Sequence, residues 1–364
     1  MTLGLVFQPP IDEIRMAGTH DITSTILSFL KRHGEVRTSE IVKKTGLSRA
    51  YVNRFFQQLR REGKIVLVGK ANQAKYVPAT PTRVRRAKRR VQKIQRILKN
   101  KDLSEDVVLD EIKRDTGIFI DMAENVSRII DYAFTKMLNN AIEHSRSTHI
   151  MILMDRTTND VRFRVKDHGI GIFNNIMAKR GLASELEAIQ DLLKGKQTTE
   201  PEHHSGEGIF FTSKVADRLV LRGSAKKLTY DNLLPDVFVE DMRPIVGTEV
   251  EFRLSTGSPR ILGDVFREYT TEEFDFGRTV VTVDLYKTKG RYVSRSEARR
   301  LLSGLDEFKE VVIDFSGVET IGQGFADEVF RVWKQHHPEI TISVRNANEN
   351  VAFMIQHVRG GTMQ

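Results

Sequence analysis

The chain contains no cysteine. Disulfide bonds, cysteine-ligated zinc sites and thiol catalysis are therefore excluded. Long apolar runs are also missing, because the longest, such as residues 150–154, are far too short to cross a bilayer. The N-terminal residues lack the basic region and apolar stretch of a signal peptide. We therefore expect a cytoplasmic protein that has no membrane partner.

The composition provides material for several domains and an excess of positive charge. The chain has 364 residues, of which 40% are apolar, so two or three domains are expected. The formal net charge is +9, and Lys and Arg are crowded into the first hundred residues. This distribution indicates a polyanionic partner at that end, or else a basic surface that serves only solubility.

Residues 17–80 are predicted to form a winged helix-turn-helix. A first segment with helical spacing is followed by a second with capping chemistry, and Ser48 caps a third. Residues 65–68 and 74–77 then alternate in polarity like the two strands of a hairpin, which would be the wing.

The third of these helices would be the recognition helix of a DNA-binding domain. Arginine side chains bind guanine in the major groove, and Asn or Gln bind adenine. Lysines of the wing suit contacts with phosphates. The candidate DNA-binding residues are Arg49, Tyr51, Asn53, Arg54, Gln57, Lys70 and Lys75. The alternative is a winged helix that is used for protein contacts.

Residues 81–103 are predicted to be a basic helical linker. No acidic residue occurs in 82–101, and apolar residues recur there at spacings of three and four. Such spacing is typical of a helix with a narrow apolar seam. We expect this helix to pack on a neighbouring domain, and the alternative is a seam between the two chains of a homodimer.

Three short motifs follow within residues 104–257. They are Asn-Asn-Ala-Ile-Glu-His at 139–144, Asp-His-Gly-Ile-Gly-Ile at 167–172 and Gly-Glu-Gly-Ile at 206–209. The first lies on a long predicted helix, the second ends a predicted strand and the third precedes a helix. Residues 173–205 form a long polar insertion that contains helical segments, as lids and binding loops do.

The order and spacing of these motifs resemble the N box and the two glycine boxes of the GHKL ATPases. The resemblance implies the Bergerat α/β sandwich of that family, with bound ATP and Mg²⁺. It implies that Asn140 is the Mg²⁺ ligand, that Asp167 accepts the adenine amino proton and that the hydroxyl of Thr248 bonds the adenine. The other nucleotide-binding positions that it implies are Gly169, Gly171, Ile172, Gly206 and Gly208.

One position departs from the family. Four residues before Asn140, where the family usually carries a catalytic Glu, this chain has Lys136. A charged lysine has no acceptor atom and cannot act as a general base, although it can pair with phosphate. We therefore expect ATP to bind and hydrolysis to be weak or absent. The alternative is that Lys136 is a natural or engineered replacement of the Glu in an ancestor that hydrolysed ATP. Four cations of the insertion are expected on solvated helix faces, unless one reaches the γ-phosphate: Lys179, Arg180, Lys194 and Lys196.

Residues 264–364 show alternating strand and helix signals and are predicted to be a small α/β domain. The run at 312–324 resembles the STAS-like family (DUF4325) that often follows a GHKL ATPase. Related antagonist proteins present a phosphorylatable serine where this chain has Gly-Gln-Gly at 322–324, and Ser316 lies earlier. We therefore do not expect phosphotransfer within the chain. We do expect this domain to contact a protein partner.

These observations predict a multidomain α+β protein that consists of a winged helix-turn-helix, a GHKL (Bergerat) α/β sandwich and a small STAS-like α/β domain. The function that they favour is an ATP-binding, DNA-binding transcriptional regulator in which the nucleotide controls the arrangement of the domains. The alternatives are a serine or histidine protein kinase or ATPase, and a scaffold for protein contacts that nucleotide stabilises.

Overall fold

A computed structural model of the chain describes residues 11–69, 74–195, 207–270, 277–283 and 294–360, with side chains from residue 22 onward. The chain divides into two compact units. The first comprises Met1–Ile94, Asp110–Met122 and Asp155–Thr157, and the second comprises Gln95–Leu109, Ala123–Met154 and Thr158–Gln364. No helix among the described residues is both long and apolar enough to cross a membrane.

The first unit begins with helices and a hairpin in the predicted order. They are α1 (Ile11–His33), α2 (Thr38–Thr45), α3 (Arg49–Arg61), β1 (Ile65–Val68) and β2 (Lys75–Pro78). The hydroxyl of Ser48 accepts the N–H of Tyr51 at 3.3 Å and so caps α3, as the sequence predicted. The two strands are antiparallel, and Val36 bridges to Tyr76 of β2. The ring of Tyr76 stacks on Phe56 of α3, which places the core between the hairpin and the helices.

The predicted basic linker is helical only in its first part. Helix α4 (Pro81–Lys88) is followed by strand β3 (Lys93–Lys99), so the prediction of a helix is wrong for the second part. Along β3 the buried Ile94 lies between exposed neighbours, and the alternation of burial continues to Leu98. Residues four apart share a face in a strand as well as in a helix, so the spacing that indicated a helix did not distinguish the two.

Strand β3 is the edge of a five-stranded sheet with the order β3-β4-β5-β7-β6. The other strands are β4 (His149–Arg156), β5 (Asp160–Asp167), β6 (Arg218–Asp231) and β7 (Asp236–Ser255), and the helices α5 (Glu105–Asp115) and α6 (Glu124–His144) precede β4. The apolar face of α6 packs on this sheet. The ring centroid of Phe134 on α6 lies 5.4 Å from that of Phe163, which stacks on Phe252 at 4.8 Å.

Among the described residues, helices α7 (Ile172–Arg180), α8 (Glu185–Lys194) and α9 (Gly208–Val215) lie between β5 and β6. Strands β6 and β7 are long, at 14 and 20 residues. Their register shifts on both sides of Ser224, and such bulges bend a hairpin. Near the tip, the amide of Asn232 donates to the main-chain oxygen of Ser213 at 2.6 Å, so the hairpin turns back onto the end of α9.

The C-terminal part is the predicted small α/β domain. After α10 (Leu262–Tyr269) come β8 (Arg278–Thr282), α11 (Arg295–Leu302), β9 (Glu310–Asp314), α12 (Gln323–Asp327), a π-helical turn at Glu328–Trp333, α13 (Lys334–His336), β10 (Thr341–Arg345) and α14 (Glu349–Gly360). The strand order is β10-β9-β8, and both pairs are parallel. Trp333 is partly buried against the hydrophobic core of this domain.

The aromatic stack between α6 and the five-stranded sheet predicts where the second unit is sensitive to truncation. Phe163→Ala removes a ring that is 1% exposed and contacts both Phe134 and Phe252, and we expect a loss of about 3–5 kcal/mol in the free energy of unfolding. Phe353→Ala, at a ring that is 66% exposed on α14, should change it by less than about 0.5 kcal/mol. Urea unfolding followed by circular dichroism measures both, and equal losses would contradict the packing described above.

Candidate functional sites

The turn that follows β5 is built around the carboxylate of Asp167, which is 3% exposed. Its Oδ1 accepts the N–H of Gly169 at 2.8 Å and the N–H of Thr248 at 3.2 Å. The Oγ1 of Thr248 in turn accepts the N–H of Ile172, the first residue of α7, at 2.9 Å. Burial raises the pKa of Asp167, although the hydrogen bonds from Gly169 and Thr248 act to lower it. We call this group, together with Gly171, the Asp167 site.

Glycine is required in this site because main-chain segments approach one another too closely for a side chain. A Cβ on Gly169 would lie 1.7 Å from the main-chain oxygen of Ser145, and one on Gly247 would lie 2.3 Å from the main-chain oxygen at the end of β5. Gly171 has φ 81°, in the region that favours glycine. The oxygen of Ser145 also accepts the N–H of Ile170 at 2.9 Å, which joins the turn to the end of α6.

Helix α6 carries two more of the predicted residues. Lys136 and Asn140 are one turn apart on this helix, and residues at that spacing are neighbours on its surface. The side chain of Lys136 lies against the start of α9, since a Cβ on Gly208 would be 3.6 Å from its Cβ and Cδ. From Lys136 to Ser145 the helix rises about 14 Å. In the part of the chain that the structure describes, the side-chain amide of Asn140 makes no hydrogen bond.

Other predicted positions in this region are placed differently or not at all. Gly206 and Lys196 lie outside the described residues. Lys194 is 3% exposed, and its ammonium donates to the main-chain oxygens of Arg300 and Ser303. The expectation of a solvated helix face is therefore wrong for Lys194, because the C-terminal domain covers the end of α8. The described residues contain no cluster of three or more His, Asp or Glu side chains that could hold a metal ion.

Helix α3 presents most of the predicted DNA-binding side chains to solvent. Arg49, Arg54 and Gln57 are exposed, and Tyr51 is 36% exposed with its ring against Phe55. Asn53 differs, because its side-chain oxygen accepts the hydroxyl of Thr38 at 3.2 Å and is therefore used inside the domain.

The two predicted wing lysines cannot be treated alike. Lys70 lies outside the described residues. The ammonium of Lys75 is 2.7 Å from the carboxylate of Glu35, and the Lys75 side chain is only 12% exposed. A phosphate contact by Lys75 would have to displace this ion pair, which the sequence did not indicate because the partners are 40 residues apart.

Sequence reasoning missed a basic cleft of about 460 Å³ in the first unit. The end of α1, the segment before α2 and helix α4 form its walls, and no residue of α3 lines it. The lining residues are Lys31, Arg32, His33, Gly34, Glu35, Val77, Thr82, Arg83, Arg86, Ala87 and Arg90. Glu35 pairs with Lys75 and with Arg90. Within the described ranges, Lys31, Arg32, Arg83 and Arg86 have no ion-pair partner, so the cleft keeps a positive charge that nothing there neutralises.

At the carboxyl end of β9, the side chain of Asp314 orders the loops of the C-terminal domain. It accepts the hydroxyl of Ser316 at 2.7 Å, the amide of Asn346 at 2.9 Å and the guanidinium of Arg345. Burial acts to raise the pKa of Asp314. The hydrogen bonds from Asn346, Ser316 and Arg345 outweigh this effect, so the pKa is lowered. Gln323 begins α12 after Gly322, so the start of this helix carries no hydroxyl group.

Comparisons with known proteins identify the two ends of the chain. Residues 297–352 match the family described as STAS-like domain of unknown function (DUF4325). Residues 22–72 match the family of FaeA-like proteins. A comparison with curated proteins found no match. The chain therefore carries a domain similar to winged-helix regulators on its N-terminal side and a STAS-like domain on its C-terminal side.

Proposed function

We propose that the chain is an ATP-binding, DNA-binding transcriptional regulator. The proposal of a nucleotide rests on one observation: Asp167, Thr248 and closely packed glycines form a single site at the end of α6. The same helix carries Lys136 and Asn140. This is the arrangement that the resemblance to GHKL ATPases implies for ATP and Mg²⁺.

The Asp167 site suits an adenine base. An ionised carboxylate is only an acceptor, so Asp167 would take a hydrogen bond from the exocyclic amino group. The Oγ1 of Thr248 already accepts the N–H of Ile172, and the hydroxyl also interacts with Asp167. Rotation of the hydroxyl would let it donate its proton to a ring nitrogen instead. Gly169 and Gly171, which leave room for the main chain of Ser145 and Gly247, would keep the turn in the conformation that presents Asp167 to the base. A base with an oxo group in place of the amino group would present an acceptor to the carboxylate and would be disfavoured.

The end of the proposed site near Lys136 and the start of α9 suits phosphates. The ammonium of Lys136 would pair with a phosphate oxygen, and it lies beside the first turn of α9, whose N–H groups have no partner within their own helix. The amide oxygen of Asn140 would be one ligand of Mg²⁺, a hard cation that keeps several waters. The ion would neutralise phosphate charge. A rise of about 14 Å along α6 separates the two ends, which suits an extended nucleotide.

The proposal is for binding rather than turnover. Lys136 offers no atom that can accept a proton from an attacking water. The start of α12, where related antagonists present a serine, has Gln323 after Gly322. Neither a base for hydrolysis nor a hydroxyl for phosphotransfer is thus present at the positions that the resemblance assigns to them.

DNA binding is proposed for the N-terminal domain, with the similarity to FaeA-like proteins as its support. Arg49, Arg54 and Gln57 on α3 would contact base edges, with Tyr51 beside them. The cations of the basic cleft would contact phosphates, which carry most of the salt-dependent affinity. ATP would act on DNA affinity by shifting the population of domain arrangements, with its binding free energy as the source.

The adenine contact can be tested with Asp167→Asn, which keeps the shape of the side chain but removes its charge. We expect the dissociation constant for Mg²⁺-ATP to rise at least about fivefold, since an unmatched buried polar group costs about 1–3 kcal/mol. Isothermal titration should also show that the wild type binds ATP more tightly than GTP. The control is Asp236→Asn on the exposed start of β7, which changes the net charge equally and should bind as the wild type does. Unaltered affinity in a folded Asp167→Asn protein would rule out the adenine contact.

The role of Lys136 can be tested by hydrolysis. We expect slow or undetectable turnover by the wild type and faster turnover by Lys136→Glu, because the carboxylate would supply a proton acceptor. Lys136→Gln is the matched control: it removes the positive charge without adding a base, so its turnover should stay as slow as that of the wild type. Phosphate release measured under saturating ATP distinguishes the three proteins. Equal and fast turnover in wild type and Lys136→Glu would refute the proposed absence of hydrolysis.

The DNA proposal can be tested by the salt dependence of binding. Each phosphate contact contributes about 0.9 to the slope of log affinity against log salt concentration. We expect the double variant Arg83→Gln/Arg86→Gln to lower the magnitude of that slope by about one to two, since both residues line the basic cleft. Arg128→Gln/Arg243→Gln removes the same charge outside the cleft and should leave the slope unchanged. Equal slopes for both double variants would exclude the cleft, and no retention of the wild type on DNA at low salt would exclude DNA binding.

A further inference from the structure

Helix α9 begins at the proposed phosphate end and continues into the core of the C-terminal domain. Gly208 is its first residue, whereas Phe210 and Phe211 are 4% and 0% exposed and belong to the buried cluster of the STAS-like domain. The ring centroid of Phe211 lies 4.2 Å from that of Phe266, and that of Phe210 lies 5.0 Å from that of Tyr269. Because closely packed interiors transmit displacement, α9 cannot shift without a response from this core.

The end of α8 makes a polar connection to the same domain. The ammonium of Lys194 donates to the main-chain oxygens of Ser303 at 2.6 Å and Arg300 at 3.1 Å. The main-chain oxygen of Lys194 accepts the hydroxyl of Thr279 at 2.5 Å. Burial lowers the pKa of Lys194 to about 8, although Asp191 opposes this shift. These bonds join α8 to β8 and to the end of α11.

Helix α7 completes the connection from the Asp167 site. Its first residue, Ile172, donates its N–H to Thr248. At its other end, Arg180 lies 3.9 Å from Asp191 of α8 and 3.4 Å from Glu307 of the C-terminal domain. Helices that start at both ends of the proposed nucleotide site thus reach the STAS-like domain.

We propose that the docked STAS-like domain regulates the nucleotide site through α9 at one end and through α7, with α8, at the other. This inference rests on the proposed ATP-binding function. Docking fixes the helices at both ends of the site, so the site is already ordered when ATP binds. Less of the binding free energy is then lost in ordering it. Thermodynamic linkage then requires the converse, that bound ATP strengthens the docking by the same factor.

The contact at Lys194 suits a docking that is reversible. Burying an ammonium costs solvation free energy, which the main-chain oxygens of Arg300 and Ser303 offset only in part. When the domains separate, the ammonium regains its water. Loss of this contact therefore costs only the difference between these two environments, and a ligand can shift the balance between the docked and separated states.

Lys194→Met tests the inference in the full-length protein. Methionine fills much of the same volume but leaves the oxygens of Arg300 and Ser303 without their donor. We expect the variant to bind Mg²⁺-ATP at least about fivefold more weakly than the wild type, the lower end of ordinary allosteric coupling. In hydrogen-exchange measurements, ATP should protect α10 and α11 in the wild type and protect them less in the variant. Thr279→Val removes the other bond of the contact and should act in the same direction.

Lys334→Met is the matched control, since Lys334 also donates to two main-chain oxygens, those of Pro338 at 2.8 Å and Ile340 at 2.5 Å, but within the C-terminal domain. It should bind ATP as the wild type does. Equal dissociation constants for wild type and folded Lys194→Met overturn the inference and leave the ATP proposal standing. A wild type that binds no ATP removes the proposed function and the inference with it. If Lys194→Met does not fold, Thr279→Val decides by the same criterion.

Discussion

The candidate nucleotide site depends on the hydrogen bonds that the buried carboxylate of Asp167 accepts. One oxygen, Oδ1, accepts N–H groups from Gly169 and Thr248, and the latter is 81 residues away in the chain. This single atom therefore sets the positions of the end of β5, the turn before α7 and the middle of β7. Burial still raises the pKa of Asp167 against the effect of both donors. A ligand that supplied a further donor would favour the ionised form.

The distribution of charge differs sharply between two surfaces of the protein. On the outer face of the five-stranded sheet, Arg164 and Arg222 both pair with Glu249 and Glu251, so these cations have anionic partners. In the basic cleft, by contrast, Glu35 is the only acidic residue among the described lining residues, and it already pairs with cations. The net charge alone did not distinguish a polyanionic partner from a basic surface that serves only solubility. Unpaired cations that converge on one concave surface repel one another, and a polyanion is the partner that relieves this repulsion.

The predictions from sequence succeeded where the signal is local. The cap at Ser48 and the alternating elements after residue 264 depend on neighbouring residues and were predicted correctly. The resemblance to GHKL ATPases also pointed to Asp167 and Thr248, which the structure brings together. The failures have two physical causes: apolar residues four apart indicated a helix where β3 lies, and the surroundings of Lys194 depend on a domain that begins some seventy residues later. The basic cleft was missed for the second reason, since α1 and α4 are distant in sequence.

Under the proposed function, Lys136 and the Gly-Gln-Gly run at 322–324 lead to the same physical conclusion. They are the two departures from the GHKL ATPases and the antagonist proteins that the sequence resembles. A protein that neither hydrolyses ATP nor transfers its phosphate has only the free energy of binding with which to change its state. That free energy acts only to the extent that ATP binds one arrangement more tightly than another. The contacts that make such a difference must therefore join the nucleotide site to a second domain. Helix α9 meets this requirement, because Gly208 lies beside Lys136 while Phe211 lies in the core of the STAS-like domain.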